Sequence, residues 1–315
     1  MATEKKVKYS VVIPVYNEDG NVKILHEEIV AVMNSLGSYE IIYINDGSTD
    51  ITMSELRKLR GVTIIDLNRN YGQSTALDAG FKHAKGEIII SMDGDLQNDP
   101  KDILKLLKKL ESDNLDVVCG WRKKRKDKNG VKVLTKIGRA LRKFMIKDDV
   151  HDTGCTLRVY RAKAAKSLDI SGEMHRYILA LLRWKGFKIG EVEVNHRPRI
   201  NGKTKYGYGK AIRGFIDLIY IWFIDKYSQR PLHIFGSIGI FSFLIGISAF
   251  IYSICEKLFF GLSLNRSGWF LLGTFLIIAG LMAFSFGIVI DLLMKIHLNS
   301  SPYERRYYIR EIIER

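Results

Sequence analysis

Between Val7 and Gly120, short apolar runs alternate with stretches in which apolar residues recur at helical spacing. Ser10 to Tyr16, Tyr39 to Asn45, Val62 to Leu67, Glu87 to Met92 and Leu115 to Gly120 read as strands, being nearly continuous in apolar and β-favouring residues. Unbroken runs of this kind suit strands covered on both faces of a parallel sheet. Between them, Val22, Leu25, Ile29, Val32 and Met33 make one helical stripe, and further helices pass through Met53 and Leu56, through 72–85 and through Ile103 to Leu110. Strand alternating with helix at this interval predicts an α/β domain with a mostly parallel sheet and helices on both faces.

After Gly120 the pattern changes. Over 131–147, Leu134, Ile137, Leu141 and Phe144 fall on one helical face, with Lys132, Lys136, Arg139, Arg142 and Lys143 on the other. Such segregation describes a helix on an anionic membrane surface or a core helix with a solvated basic face. A helix near Met174 to Trp184 and a strand over 187–194 lead to the basic segment NHRPRINGKTKYGYGK. Lys210 to Tyr227 is apolar but short and interrupted by Asp217, as expected of an interfacial helix.

Ile234 to Cys255 and Ser267 to Ile290 carry no charge, and each is long enough to cross roughly 30 Å of hydrocarbon. Lys and Arg crowd the flanks of this pair, whereas the loop between holds Lys257 and Arg266. The positive-inside rule then predicts a membrane hairpin with both ends cytoplasmic. The expected organisation is a catalytic domain over 1–209, an interfacial helix over 210–230, a hairpin over 231–294 and a basic tail over 295–315. Gly239, Ser242, Gly246, Ala249 and Ser253 line one stripe of the first span, and Ala279, Ala283 and Gly287 one of the second. Such stripes admit close helix contact, within the hairpin or in a homo-oligomer.

The chemistry gathers at the carboxyl ends of the strands, the edge where open α/β sheets bind ligands. Asn17, Glu18 and Asp19 follow the first strand, Asp46 the second, Asn68 to Asn70 the third, and Asp93 and Asp95 the fourth. Two hard carboxylates one residue apart suit Mg²⁺ or Mn²⁺, which complete their shell with water and substrate phosphates. A solvated strand-to-helix turn is the alternative for the same tripeptide. Pro14 at the end of the first strand points to backbone released from pairing. No G-x-G-x-x-G follows that strand and no P-loop is present, which argues against dinucleotide binding and P-loop chemistry.

Composition narrows the partners. With 49 Lys+Arg against 34 Asp+Glu in 315 residues, the formal net charge of +15 favours an anionic partner. Nucleic acid, an acidic membrane face and phosphorylated substrates all qualify; no RNA-binding aromatic motif is present, so nucleic acid is not expected. Cys119, Cys155 and Cys255 are widely spaced, which excludes a disulfide framework and a zinc site. The N-terminus has no apolar run of the signal-peptide kind.

Taken in order, VVIPVYNE, NDGSTD, NYGQSTALDAG, DGDLQNDP and RINGKTKY resemble the motifs of family 2 glycosyltransferases of the GT-A fold. Among these the chain is most similar to the polyprenyl-phosphate hexose synthases: dolichol-phosphate mannose and glucose synthases and bactoprenol glucosyltransferases. The resemblance implies transfer of a hexose, foremost glucose from UDP-glucose, to a polyprenyl phosphate at the membrane. It implies that Pro14, Tyr16, Glu18 and Asp46 hold the nucleoside, and that Asp93 and Asp95 hold Mg²⁺ or Mn²⁺, with Asp95 counted among the catalytic groups. Arg122, Arg199, Lys203 and Lys205 would hold phosphates, with Thr204 where the family usually has Ser. Asp152 stands where the family places a base or an acceptor-orienting carboxylate.

A lipid phosphate with a second pKa of about 6 is mostly ionised near neutrality and barely needs a base, so Asp152 is expected to position rather than to take a proton. Mannose from GDP-mannose is an alternative donor. A processive polysaccharide synthase would need a Q-x-x-R-W motif, whereas Ala180 stands in place of Gln in ALLRW. A non-catalytic membrane scaffold would have no use for the two acids.

Overall fold

The structure is a computed structural model and describes residues 6–123, 150–198, 231–261, 263–264, 267–299 and 307–315. The helices expected over 131–147 and 210–227 lie outside these residues, as do Arg199, Lys203, Thr204 and Lys205.

Four of the apolar runs form the centre of the sheet. Strand β1 (Tyr9–Val15) pairs in parallel with β2 (Tyr39–Asn45) on one side and β4 (Ile88–Ser91) on the other, and β2 pairs in parallel with β3 (Val62–Leu67). Val11, Ile13, Ile41, Ile44, Ile64 and Ile90 are fully buried, as two covered faces require. Helices α1 (Val22–Met33), α2 (Thr52–Leu56), α3 (Gln73–His83) and α4 (Ile103–Ser112) follow these strands in turn. Helix α3 lies close on the sheet because Gly80 lacks a side chain: a Cβ there would come within 2.4 Å of Val12 and 2.8 Å of Ile44.

Beyond β4 the topology departs from simple alternation. Strand β5 (Val117–Trp121) lies one place away from β4, and the gap is filled by β6 (Arg158–Arg161), antiparallel to both. The sequence pattern gave no strand here, because RVYR offers two apolar residues between two arginines. Helix α5 (Ala162–Lys166), helix α6 (Ile178–Trp184) and β7 (Ile189–Glu193) complete this side, with β7 parallel to β5.

The other edge holds a correction. The residues expected to form a basic tail return to the sheet as β8 (Ile309–Glu314), antiparallel to β3. The order of the eight strands is β7-β5-β6-β4-β1-β2-β3-β8. Tyr307, just before β8, is buried in the core, and Arg57 pairs with Glu311. Basic residues disguised this segment, since a strand at a sheet edge keeps charged side chains in water while its backbone pairs.

The chain divides into two compact units, the sheet domain with β8 and a helical hairpin. The hairpin consists of α7 (Pro231–Phe260) and α8 (Gly268–Asn299), both longer than the expected spans. At 30 and 32 residues they measure about 45–48 Å. Both are long and apolar enough to cross a membrane, with mean hydropathy of 2.2 and 2.4.

Within the hairpin the small residues meet each other. A Cβ on Gly239 would lie 2.7 Å from the Gly280 carbonyl oxygen, and one on Gly273 would lie 2.9 Å from that of Gly246. Ser242 Oγ donates to the Leu276 carbonyl at 2.9 Å, and Ala249 and Ser253 are buried. The stripe on the first helix therefore serves the hairpin itself. On the second helix the buried stripe is Gly273, Gly280 and Gly287, not the expected Ala279 and Ala283 with Gly287. Only glycine allows the backbone approach seen here. Gly280→Leu is expected to force the helices apart, at about 1–3 kcal/mol. Thermal unfolding in detergent should fall for Gly280→Leu and stay unchanged for Leu281→Ile, whose parent side chain is exposed.

Candidate functional site

Strands β1 to β4 run parallel and finish at one edge, so the segments after Val15, Asn45, Leu67 and Ser91 come together there. Pro14 is still in register with Ile44 of β2, while pairing of β1 with β4 ends at Val12. Its missing N–H thus falls where one side of the strand has already lost its partner. Tyr16 is 39% exposed at this edge.

The loop after β1 is stitched to the loop after β2. Asn17 adopts a left-handed φ of 55°, which asparagine tolerates. Its N–H donates to Ser48 Oγ at 3.0 Å, and its Oδ1 accepts from the Thr49 N–H at 2.8 Å. The Glu18 N–H donates to Thr52 Oγ1 at 2.9 Å, and its carboxylate accepts from Asn21 Nδ2 at 2.8 Å.

Asp46 is buried, and each of its oxygens accepts a backbone N–H, from Tyr71 at 2.7 Å and Gly72 at 2.9 Å. Burial pushes its carboxyl up from the usual range, and those two N–H groups oppose the shift. Asp46 therefore braces the turn into α3 as well as lining the edge. Gly47 is required beside it: with φ at 66°, a Cβ would lie 2.4 Å from the Arg69 carbonyl carbon. Asn45 continues the brace, with Nδ2 donating to Asp66 Oδ1 at 2.7 Å and Oδ1 accepting from the Ser48 N–H at 3.2 Å.

The acidic turn packs against the end of β1. A Cβ on Gly94 would come within 2.8 Å of Val15 Cγ1 and 3.5 Å of Glu18 Cγ, so glycine lets Asp93 and Asp95 lie next to that strand. Leu96 takes a φ of 62°, a strained value for a γ-branched residue, directly after Asp95. Asp93 Oδ1 accepts from Gln73 Nε2 at 2.6 Å and Asp95 Oδ1 from the Gln97 N–H at 3.1 Å. Burial and the charge of Asp95 push the Asp93 carboxyl up to about 6, opposed by Thr156, Arg122 and Arg158. The neighbouring acids are structural: Asp99 accepts from the Lys101 N–H at 3.1 Å and pairs with Arg197 at 2.9 Å, and Asp102 accepts from the Asn195 N–H at 2.6 Å.

Arg122 and Asp152, which the sequence assigned to separate tasks, form one unit. Arg122 Nε donates to Asp152 Oδ2 at 2.7 Å and Nη2 to Oδ1 at 3.0 Å, both side chains being 14% exposed. The N–H groups of Arg122 and Gly154 add contacts to the same carboxylate, each at 3.2 Å. Four donors meet an acceptor with about four lone-pair sites, so Asp152 is held as a carboxylate. Glu191 of β7 fixes the approach to it, accepting the His151 N–H at 2.9 Å and the Asp152 N–H at 3.2 Å. Trp121 stacks on His151 at 4.5 Å beside the pair.

Three residues were invisible to pattern reading. Gln73, inside a recognised motif but at no position the pattern marks, holds Asp93. Arg158 of β6 is 2% exposed; Nη2 donates to the Thr153 carbonyl at 2.7 Å and Nη1 to that of His175 at 3.3 Å. It thus links the Asp152 loop to the start of the 174–184 helical segment and adds positive charge behind Asp93. His175 is driven down to about 3 by burial, then by Arg176 and Arg158, so it is neutral at physiological pH. Ser74 Oγ donates its single proton to the Gly172 carbonyl at 2.6 Å, so the 2.9 Å contact with His175 Nδ1 has the imidazole as donor. A donor on Nδ1 and a low pKa exclude His175 as a base through that nitrogen.

The sequence profile described as Glycosyl transferase family 2 matches residues 10–169, which run from Ser10 in β1 past the end of β6 and include Asp46, Asp93, Asp95 and Asp152. The chain belongs to glycosyl transferase family 2. It is a glycosyltransferase, and its relatives match over nearly the whole chain. A dodecaprenyl-phosphate galacturonate synthase of Rhizobium johnstonii is 35% identical over 98% of this chain and 94% of its own. An undecaprenyl-phosphate 4-deoxy-4-formamido-L-arabinose transferase of Edwardsiella ictaluri is 31% identical, with 99% and 97% covered. Glucosyl-3-phosphoglycerate synthase from Mycobacterium tuberculosis, solved with Mn²⁺, UDP and phosphoglyceric acid, superposes with a TM-score of 0.56 at 18% identity. That match covers 69% of this chain and 78% of the other, and it establishes the GT-A fold. The same synthase was also solved with Mg²⁺ and UDP.

The glycosyltransferase carries no cluster of three or more His, Cys, Asp or Glu that could cage an ion, among the described residues. Asp93 and Asp95 fit a hard divalent cation that takes few protein oxygens: Gln73 Nε2 and the Gln97 N–H hold the Oδ1 of each. A cation needs Asp93 ionised, and that form dominates only above about 6. Mn²⁺ affinity, followed by calorimetry, should therefore be full at pH 7.5 and fall as the pH drops through about 6, with proton release on binding growing in that window.

Proposed function

We propose that this glycosyltransferase moves a sugar from a nucleoside-diphosphate donor to a polyprenyl phosphate at the cytoplasmic face of a membrane. The observation that carries the proposal is the meeting of the Asp93–Asp95 pair with the Arg122–Asp152 unit at one edge of the sheet. The first is suited to a donor diphosphate, the second to an anionic acceptor. The full-length similarity to enzymes named for dodecaprenyl-phosphate and undecaprenyl-phosphate supports the acceptor.

In this reading Pro14, Tyr16, Glu18 and Asp46 line the nucleoside end, and Asp93 and Asp95 hold Mg²⁺ or Mn²⁺. A bound divalent ion supplies charge neutralisation as the diphosphate departs, without proton transfer. Gln73 and the Gln97 N–H keep the two carboxylates aimed. Arg122 places positive charge beside Asp93, and Asp152 fixes the direction of that guanidinium. Since four N–H donors already bind Asp152, it orients groups rather than accepting a proton. The lipid phosphate attacks as an anion in a single displacement, inverting the anomeric carbon. Arg199, Lys203, Thr204 and Lys205 are proposed to hold its phosphate at the membrane plane, where basic residues gather near anionic lipid.

The hairpin would seat the enzyme in the bilayer. Two crossings with basic flanks would put both ends on the cytoplasmic side, as the positive-inside rule predicts. The sugar is glucose in the sequence reading, and the relatives add galacturonate and 4-formamido-arabinose as candidates.

The test offers membranes containing the full chain a polyprenyl phosphate, Mn²⁺ or Mg²⁺, and a panel of UDP-glucose, UDP-galacturonate, UDP-4-formamido-arabinose and GDP-mannose. One sugar per lipid, lost with chelator and in Asp93→Ala/Asp95→Ala, is expected. A growing glycan would favour a polymer synthase, and full activity in the double variant would end the cation mechanism. For Asp152→Asn, turnover at pH 8 should fall by about tenfold at most, because orientation is weakened while no proton transfer is lost. Near-total loss with substrates still bound would make Asp152 a base.

A further inference from the structure

We infer that Arg310, on the strand that returns from the helical hairpin, is a positioning residue for the donor's nucleoside, acting through Asp66 and Asn45. The inference rests on the donor reading above and adds to it a part of the chain to which no role in binding was attached.

Register shows why Arg310 is singular in β8. Asp66 stands opposite Glu311 and Leu67 opposite Ile309, so Arg310 is the extra residue of a bulge. A bulge re-aims the side chain it carries, and here it turns Arg310 back over β3. Nη1 donates to Asp66 Oδ2 at 3.1 Å and Nη2 to the Asn68 carbonyl at 2.9 Å. Asp66 is 2% exposed at its side chain, and its other oxygen accepts from Asn45 Nδ2 at 2.7 Å. Asn45 in turn accepts the Ser48 N–H, whose Oγ accepts from Asn17. The relay thus ends in the two loops that carry Glu18 and Asp46. The Asn68 N–H donates to the Tyr308 carbonyl at 3.0 Å, so β8 also grips the loop against which Gly47 packs.

Without the arginine, a buried carboxylate loses its cationic partner. Asp66 would then pull harder on Asn45, which already donates to it, and the Ser48 turn would lose its fixed acceptor. Among the described residues, no group in the relay touches the acceptor side, where Arg122 and Asp152 are anchored by β5, β7 and the 150–154 loop. The effect should therefore be confined to the donor.

The experiment compares full-length wild type, Arg310→Ala and Arg310→Lys in detergent. Binding of UDP with Mn²⁺ is measured by calorimetry, and steady-state kinetics are run with each substrate varied. For Arg310→Ala, the UDP Kd and the donor KM should rise roughly threefold to thirtyfold. The acceptor KM and kcat should stay within about twofold, and Arg310→Lys should recover part of the loss. Equal UDP affinity in wild type and Arg310→Ala overturns the inference, as does a parallel loss for donor and acceptor that tracks lowered thermal stability. If Arg310→Ala does not fold, Arg310→Gln takes its place with the same expectation. Should the wild type bind no UDP yet turn over a GDP-sugar, the UDP assignment fails by itself, and GDP serves as the probe for the same comparison.

Discussion

Two carboxylates one residue apart, at the covered end of a strand, repel each other, and the surroundings of Asp93 and Asp95 are arranged around that repulsion. Gly94 lets the turn lie flat on β1, Leu96 takes a strained backbone angle, and Gln73 and the Gln97 N–H hold the oxygens in place. Arg122 and Arg158 supply positive charge from the β5 and β6 side. A group kept ionised against burial and a like charge is destabilised at neutral pH, and a divalent cation relieves that strain. Folding therefore stores at this edge a preference for a cation.

The two sides of the site are built differently. On the side proposed for the donor, loops are joined by side chain to backbone bonds, through Asn17, Asn45, Asp46 and Thr52, and glycine at 47 permits contact between backbones. On the side proposed for the acceptor, a bidentate ion pair is framed by Glu191 and by the buried Arg158. Small polar side chains can shape a surface for a flat nucleoside, whereas a fixed guanidinium suits a phosphate.

The helical hairpin and the sheet domain meet different constraints. Each hairpin helix exposes large apolar side chains such as Phe241, Leu244, Phe275 and Leu281, and turns its glycines to its partner helix. In lipid, apolar side chains bring no advantage to helix pairing, so close backbone contact takes over as the attraction. The sheet domain, in contrast, buries Ile, Val and Leu and leaves a polar edge.

Sequence alone determined the four central strands, their order of appearance, the acids at their ends, the two long apolar helices and the family. Each is written in local periodicity or in a short contiguous motif, so neighbours along the chain suffice to read it. Tertiary structure alone decided that β6 enters antiparallel, that β8 closes the far edge, that Arg122 and Asp152 form one unit, and that Gly273 and Gly280 rather than Ala279 and Ala283 face the first helix. These depend on partners remote in sequence: Asp152 lies 30 positions from Arg122, and Arg310 lies 244 from Asp66. A buried arginine or a bulge has no periodic signature, because what selects it is the charge or the backbone that folding brings alongside.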